Sequence, residues 1–230
     1  MGDIENSKKK LAIVVGSGLL PEEVIKSVKK MHIEYVIVKF EGIKSASFIG
    51  NPIIEATFET IADLFSQLEF EGYNSIVCCG YMAPPILDLK KIGDNSREIL
   101  EPILKNLQLG DEAIFSSILK LFSDKKLEPI SLTEILPKCF PEIEFLTLRK
   151  PDHIDQLDSI RAENILRSIS PADLGQSLVV RNNACIAVET SLGTDKMLEL
   201  LALGISSDYY TGIGGLVYKG PKHKQNPFLD

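Results

Sequence analysis

The sequence has no apolar segment approaching the ~20 residues that a transmembrane helix needs. Its longest apolar segments, such as residues 11–15, have the length of buried strands. No apolar run of signal-peptide length follows the amino-terminal MGDIENSKKK. We therefore expect a cytoplasmic protein that does not span a membrane.

Positive charge is scarce. Lys and Arg number 25 against 32 Asp and Glu, which gives a formal net charge of −7. Nucleic-acid binding depends on clustered Lys and Arg that neutralise phosphates, so we expect no nucleic-acid partner. A small anionic ligand remains compatible with this composition if positive charge is gathered locally.

The sequence also lacks the usual spacings of metal and disulfide motifs. Its four cysteines form no C-x-x-C pair, and its three histidines lie far apart without metal-ligand spacing. Cys78 and Cys79 are adjacent in an apolar run, so their side chains should point to opposite faces of a strand. We interpret them as small buried hydrophobic residues.

An alternation of strands and helices dominates the first half of the chain. Residues 10–16 form a β-branched apolar run that ends in glycine, and residues 22–31 carry apolar side chains at helical spacing. Residues 34–40 predict a second strand. This order indicates a βαβ unit with a parallel sheet.

The same order recurs, with a helix predicted over residues 58–70 and a third strand over residues 73–79 that ends at Gly80. Ligands of doubly wound sheets bind beyond the carboxyl ends of the strands. The loops at 16–21 and 80–85 should therefore line one edge and face a common crevice. Further predictions are helices over 94–107 and 111–122, a short strand over 127–132 and a helical turn after it.

The second half changes character at a proline-rich stretch. We predict an amino-terminal Rossmann-like domain over residues 9–136, a linker over 137–157 and a second domain over 158–230. The second domain should contain a helix over 158–169, two antiparallel strands around Asn182-Asn183, a helix over 194–203 and a loop-like basic tail.

The loop Gly16-Ser17-Gly18-Leu19-Leu20-Pro21 allows three readings. It is a plain tight turn, a nucleotide contact made by glycines and helix-terminal N–H groups, or a dinucleotide site. Glu41, near the end of the second strand, stands where a ribose-binding acid of a dinucleotide enzyme would lie. Pro21 replaces the third glycine of G-x-G-x-x-G and argues against the dinucleotide reading.

Three further motifs keep a structural and a functional interpretation. Tyr81 either stacks on a base or packs on the surface. Thr194 or Asp195 either caps a helix or places a hydroxyl and N–H groups beside a phosphate or sugar. Glu189, at a strand end, needs solvent, a cation or a hydrogen-bonding partner. The basic stretch from Lys219 to Gln225 is either a solvated tail or a clamp for a diphosphate.

Taken in order, these motifs resemble the LpxI family of UDP-2,3-diacylglucosamine pyrophosphatases. The matches are a G-x-G-x-L-P loop, a glycine-led loop ending in proline, a Gly-Asp pair opening a helix, D-x-G-Q, A-V-E, G-T-D and K-x-P-K with a following Gln. In this chain they fall at Gly16–Pro21, Gly80–Pro85, Gly110-Asp111, Asp173–Gln176, Ala187–Glu189, Gly193–Asp195 and Lys219–Gln225.

The resemblance implies an α/β fold, with an N-terminal Rossmann-like parallel-sheet domain plus a second, incomplete α/β domain, and ligand between the two. It implies Mg²⁺-dependent hydrolysis in which water attacks the α-phosphorus of UDP-2,3-diacylglucosamine and yields UMP and 2,3-diacylglucosamine 1-phosphate (lipid X). The implied partner is this UDP-linked lipid sugar. We also expect a homodimer and peripheral contact at the inner-membrane surface.

The resemblance also assigns residues. It makes Asp230 the catalytic aspartate, and Asp230, Glu189 and Asp195 the metal ligands. The implied substrate-binding residues are Gly16, Ser17, Gly18, Leu19, Gly80, Tyr81, Asp111, Gln176, Thr190, Gly193, Thr194 and Lys222.

Several positions depart from the family pattern. Asp230 is the last residue, where the family continues with L-P-x-I-G, and Tyr81, Pro84 and Phe228 replace a family Asn and two family Arg residues. The alternative function is therefore a catalytically impaired nucleotide-binding remnant of the family. We also expect unpaired sheet edges in the second domain, which favour dimerisation.

Overall fold

A computed structural model describes residues 9–43, 48–82, 87–106, 111–140, 147–172, 174–205 and 215–221, with only the backbone described for 111–115 and 205. Main-chain contacts divide the chain into two compact units, with the division between residues 142 and 143. Within the described ranges no helix is long and apolar enough to cross a membrane.

The first unit contains a parallel sheet of five strands in the order β3-β2-β1-β4-β5. The strands are β1 (Lys10–Val15), β2 (Glu34–Phe40), β3 (Ile53–Ala56), β4 (Ser75–Cys79) and β5 (Glu128–Pro129). This is the strand order of a doubly wound nucleotide-binding sheet, in which the direction of winding reverses between the first and fourth strands. The predicted α/β class is therefore confirmed.

Helices cover both faces of this sheet. They are α1 (Leu20–Lys30), α2 (Ile61–Phe70), α3 (Asp94–Asn106), α4 (Asp111–Asp124) and α5 (Leu132–Ile135). Alternate residues of β1 enter two separate hydrophobic clusters, Ala12 and Val14 on one face and Ile13 and Val15 on the other. A central parallel strand reads as a continuous apolar run because both of its faces are buried.

The adjacent cysteines follow the same alternation. Cys79 belongs to the cluster that contains Ile13, whereas Cys78 packs against the opposite cluster. Burial raises the pKa of each thiol to about 12. The prediction that these two residues are packing side chains on opposite faces is confirmed.

The second unit contains α6 (His153–Ile169), a hairpin of β6 (Ser177–Arg181) and β7 (Ala184–Val188), α7 (Thr194–Ile205) and β8 (Leu216–Lys219). Its antiparallel sheet has the order β7-β6-β8. The core packs Ala162 and Leu166 of α6 against Leu178 and Val180 of β6. Among the described residues β7 and β8 each pair on one side only, as expected for sheet edges.

The hairpin turn is the predicted one. Asn182 and Asn183 both have positive φ, 47° and 66°, which a two-residue turn matched to the twist of its strands requires. The buried carboxylate of Asp158, on α6, accepts hydrogen bonds from both of their backbone N–H groups at 2.9 and 2.6 Å. This helix therefore holds the turn in place.

Several element boundaries differ from the prediction. Strands β3 and β8 were not predicted, and the basic stretch taken for a loop-like tail begins within β8 at Lys219. Helix α6 begins at His153 and not at 158, because Asp152 and Asp155 form a reciprocal capping box before its first turn. The described part of the 137–157 stretch also contains a 3-10 turn, Pro137–Cys139. The predicted domain boundaries stay a prediction.

Candidate functional site

Two glycine-led loops leave the sheet at the point where its winding reverses. Gly16 follows β1 and Gly80 follows β4, and these strands are direct neighbours. The loops are joined by main-chain hydrogen bonds: Ser17 N–H donates to the Tyr81 carbonyl at 2.8 Å, and Tyr81 N–H donates to the Ser17 carbonyl at 2.9 Å. For the described residues 16–21 and 80–82, the prediction that both loops lie at one edge of the sheet is confirmed.

Close approach of the two loops explains two of the glycines. A Cβ at Gly16 would lie 2.5 Å from the Tyr81 carbonyl oxygen, and one at Gly80 would lie 2.6 Å from the Ser17 carbonyl oxygen. Gly80 also has a φ of +88° and faces the ring of Pro21. The contact between the loops is sufficient to require glycine at both positions, and their assignment to substrate binding stays a prediction.

Gly18 has a different environment. Its φ is +100°, and a Cβ there would meet nothing within 4 Å. Leu19, the N-cap residue of α1, makes no side-chain capping hydrogen bond. Leu19 and Tyr81 are both largely exposed, at 80% and 71%. The exposed surface of the two loops therefore includes Gly18, Leu19, Leu20 and Tyr81.

The charge at the start of α1 is mixed. Glu22 and Glu23 lie in its first turn, and Glu23 forms an exposed ion pair with Lys26 at 2.7 Å. Acidic side chains in a first turn stabilise a helix through its dipole. They also reduce the positive potential that an anionic ligand would meet at this end of α1.

In the second unit, Glu189 is the centre of a hydrogen-bonded cluster. It follows β7 and is 8% exposed. Its Oε1 accepts from the Thr194 hydroxyl at 2.8 Å, and its Oε2 accepts from Gln176 N–H at 2.9 Å. A Cβ at Gly175 would lie 2.6 Å from the Glu189 carbonyl oxygen, so only glycine fits beside this residue.

The cluster determines the ionisation of Glu189. Burial alone would raise the pKa of this carboxyl, but hydrogen bonds from Thr194, Gln176 and Ser177, together with the charge of Lys219, hold its pKa below the ordinary value. Glu189 is therefore an ionised, buried carboxylate that protein donors satisfy. From the sequence, solvent, a cation or a hydrogen-bonding partner could each have stabilised this carboxylate. The structure provides hydrogen-bonding partners.

Thr194 connects this carboxylate to the adjacent cation. Its single hydroxyl hydrogen is donated to Glu189, so its oxygen accepts from Lys219 Nζ at 3.2 Å. The Ser177 hydroxyl lies 3.2 Å from the same oxygen. These contacts use the hydroxyl fully within the protein. Ser177 and Lys219 belong to the cluster although sequence reasoning did not place them there, since the contacts span 17 and 25 residues.

The turn between β7 and α7 presents the remaining predicted residues. Thr190 accepts from Gly193 N–H through its carbonyl and from Leu192 N–H through its hydroxyl, at 3.0 and 3.4 Å. Gly193 has a φ of +87°, and Asp195 is exposed in the first turn of α7. The cluster around Glu189 therefore fixes a turn whose backbone N–H groups begin a helix.

A magnesium site is not complete in the described ranges. No group of three His, Cys, Asp or Glu side chains there is placed to hold a metal ion. Both oxygens of Glu189 already accept hydrogen bonds from protein groups. The described residues therefore do not by themselves fit Mg²⁺, and the metal assignment of Glu189 and Asp195 stays a prediction.

Some predicted site residues lie outside the description. Asp230 and Lys222 fall beyond residue 221, and for Asp111 only its backbone position at the start of α4 is described. Gln176 contributes main-chain contacts, to Glu189 and to Gly220 N–H. The described residues gather into one group in each unit, and a ligand shared by these groups stays a prediction.

Comparison with known proteins identifies the family. Residues 10–139 match the model of the LpxI N-terminal domain, and residues 142–230 match that of the LpxI C-terminal domain. A curated relative from Caulobacter vibrioides, named UDP-2,3-diacylglucosamine pyrophosphatase LpxI, is 22% identical over 84% of this chain and 69% of its own. A short chain dehydrogenase family protein from Francisella tularensis aligns at 13% identity over 68% of this chain and 64% of its own, with a TM-score of 0.26. That TM-score is too low to indicate a shared overall fold. The two domain matches cover the chain in the order that the motifs predicted, and the chain belongs to the LpxI family.

Proposed function

We propose that this protein hydrolyses the diphosphate of UDP-2,3-diacylglucosamine to UMP and 2,3-diacylglucosamine 1-phosphate, in lipid A biosynthesis. Membership of the family and the name of the Caulobacter relative support the reaction. The observation that carries the proposal in this chain is the pair of glycine loops at the switch point of a doubly wound sheet. Nucleotide ligands of such sheets bind at this point.

In the proposed reaction a water oxygen forms a bond to the α-phosphorus and the bond from that phosphorus to the bridging oxygen breaks. The lipid-linked phosphate leaves with the bridging oxygen, and the attacking water loses a proton to the solvent. The family resemblance assigns the catalytic role to Asp230. Bound Mg²⁺ would supply charge neutralisation on the phosphate oxygens.

The chain's own described groups account for binding and positioning. Gly18 leaves open space beside the start of α1. Pro21 has no N–H, and Glu22 and Glu23 donate theirs to the Leu19 carbonyl. We therefore assign the phosphate contacts here to the N–H groups of Gly18, Leu19 and Leu20.

In the second unit, Lys219 is held against Thr194 and supplies a cation next to the Gly193 turn. The Thr194 hydroxyl is engaged with Glu189, and the Leu192 and Gly193 N–H groups donate to Thr190. We therefore assign the phosphate contacts here to the first N–H groups of α7 and to Lys219.

The test is release of UMP and lipid X from UDP-2,3-diacylglucosamine by the full chain, with and without EDTA. Gly18→Ala should lower the rate about tenfold or more, since a side chain at a φ of +100° distorts the loop. Gly50→Ala is the matched control, because Gly50 also has positive φ and open space but lies in another turn. It should lose similar stability and keep its turnover.

The results separate the proposal from its alternative. Turnover that EDTA abolishes supports the hydrolase and its Mg²⁺ requirement. UMP binding without turnover by folded protein would favour the nucleotide-binding remnant. Equal turnover by Gly18→Ala and Gly50→Ala would show that the Gly18 loop is not part of the substrate-binding site.

A further inference from the structure

The strand register of the second unit places two opposite charges on either side of one serine. Ser177 begins β6 and pairs with Lys219 of β8. On its other side, Glu189 N–H donates to the Ser177 carbonyl at 2.9 Å, directly after β7. Residues that face each other across antiparallel strands direct their side chains to the same face of the sheet. The side chains of Glu189, Ser177 and Lys219 therefore share one face.

The middle strand separates the two charges, and a third side chain contacts both. Neighbouring strands are ~4.8 Å apart, so the main chains of Glu189 and Lys219 lie about 10 Å apart across β6. The Thr194 hydroxyl, at the first residue of α7, lies 2.8 Å from Glu189 Oε1 and 3.2 Å from Lys219 Nζ. The start of α7 therefore connects the carboxylate to the ammonium.

The chemistry of the groups fixes the direction of both hydrogen bonds. An ammonium can only donate, and an ionised carboxylate can only accept. Thr194 therefore gives its one hydroxyl hydrogen to Glu189 and accepts from Lys219. The carboxylate thus selects the orientation of the hydroxyl in which an oxygen lone pair faces the ammonium. Without a carboxylate at position 189, this orientation would no longer be selected.

Burial differs between the two ends of this chain of hydrogen bonds. Glu189 and Ser177 are buried, whereas Lys219 is exposed. Among the described residues, the Lys219 ammonium uses one of its three hydrogens, in the contact with Thr194. A long side chain that is already held loses less conformational freedom when it binds a ligand. The buried carboxylate therefore prepares an exposed cation for an anionic group that it does not itself contact.

We propose that Glu189 and Thr194 are positioning residues that hold the Lys219 ammonium in place for the diphosphate of the substrate. Glu189 acts through Thr194, and Thr194 acts through Lys219. The proposal rests on the proposed function, which assigns Lys219 to the phosphates. It gives Glu189 a role other than that of a metal ligand, since both of its oxygens already accept hydrogen bonds from the protein.

A double-mutant cycle in the full chain tests this arrangement. Lys219→Ala should lower kcat/KM for UDP-2,3-diacylglucosamine about tenfold or more, because it removes the cation. Thr194→Val keeps the shape of the side chain but lacks the hydroxyl. It should lower kcat/KM about fivefold in the wild type and less than about twofold in the Lys219→Ala background. Glu189→Gln should show the same dependence on Lys219.

Two further variants are the controls. Thr194→Ser retains the hydroxyl, so it should keep most of the wild-type kcat/KM. Arg167→Ala removes an exposed cation from α6 of the same unit, where it pairs with Glu163 at 2.6 Å. It should leave kcat/KM unchanged. All variants are compared at a temperature at which circular dichroism shows that each is folded.

A purely structural role gives a different result, because a distorted turn would lower activity with or without Lys219. Equal losses for Thr194→Val in the two backgrounds would overturn the proposal, and so would a loss in Thr194→Ser as large as in Thr194→Val.

The same cycle measured by calorimetric titration of UDP in EDTA separates this failure from failure of the proposed function. Loss of the Thr194→Val effect in the Lys219→Ala background, without turnover by the wild type, would support the positioning residues and reject the hydrolase. Wild-type turnover with equal losses in both backgrounds would reject the positioning residues alone. Absence of both turnover and UDP binding would reject both.

Discussion

Replacing Glu189 with Gln tests whether the buried carboxylate holds the second unit together. The carboxylate accepts from Thr194 through one oxygen and from Gln176 N–H through the other. Glutamine keeps the shape but supplies only one acceptor, so its NH₂ group must face one of these two donors. It also removes the negative charge that faces Lys219.

The expected loss follows from these contacts. A hydrogen bond to a charged group contributes about 1.5–3 kcal/mol, and the partly exposed ion pair adds less than about 1 kcal/mol. We expect the free energy of unfolding to fall by about 2–3 kcal/mol. For a unit of this size that corresponds to a decrease in Tm of roughly 10–20 °C. Glu199→Gln is the control, because Glu199 lies exposed on α7 in a pair with Lys196.

Chemical denaturation in metal-free buffer, repeated at several pH values, gives the measurement. The pKa of Glu189 is lowered from 4.5 in the native protein. Its contribution to stability is therefore complete well above pH 4.5 and is lost as the pH falls through the native pKa. The difference in the free energy of unfolding between the wild type and Glu189→Gln should be largest at pH 7 and should decrease on acidification below pH 4.5.

The opposite sign would refute this account. A buried carboxylate that required a cation would be relieved by neutralisation, so Glu189→Gln would then stabilise the protein in EDTA. An unchanged stability at pH 7 would show that the hydrogen bonds contribute nothing. In either case the hydrogen bonds of Glu189 would not be what stabilises the Gly193 turn.

Three other predictions follow from the contacts. Gly16→Ala should lower the free energy of unfolding in urea by about 2–3 kcal/mol, because its Cβ would overlap the Tyr81 carbonyl. Gly93→Ala has open space for its Cβ and should change the free energy of unfolding by less than about 0.5 kcal/mol. Equal effects of the two substitutions would contradict the loop contact. Asp158→Asn should lower the free energy of unfolding by about 1–3 kcal/mol and increase amide hydrogen exchange in the hairpin turn. Glu163→Gln, on the same helix, should do neither. Unchanged hydrogen exchange in Asp158→Asn would show that its carboxylate does not hold the turn. Light scattering should give a homodimer of twice 25.4 kDa, and a monodisperse monomer would contradict the edge-strand expectation.

Local sequence pattern was sufficient for elements with a continuous apolar run, a helical stripe or a clear turn signal. It located β1, α1, β2 and the hairpin around Asn182-Asn183. It missed β3 and β8, which have four residues each and become strands only by pairing with β2 and β6. Segments this short carry too little pattern to separate a strand from a loop.

The site was predictable to the extent that it follows from topology. Glycines after two neighbouring parallel strands must lie at one edge, and Gly16 and Gly80 do. The reason why these positions require glycine was not predictable from the sequence. The carbonyl that excludes a Cβ at Gly16 belongs to Tyr81, 65 residues away. The environment of Glu189 was hidden for the same reason, since its partners come from β6, α7 and β8.

The proposed function requires that water attacks the α-phosphorus of a lipid-linked UDP. The most direct measurement is mass spectrometry of the products after incubation with UDP-2,3-diacylglucosamine in H₂¹⁸O. The account predicts that UMP carries one ¹⁸O and that lipid X carries none. Label in the lipid phosphate, or no UMP from folded protein supplied with Mg²⁺, would contradict it.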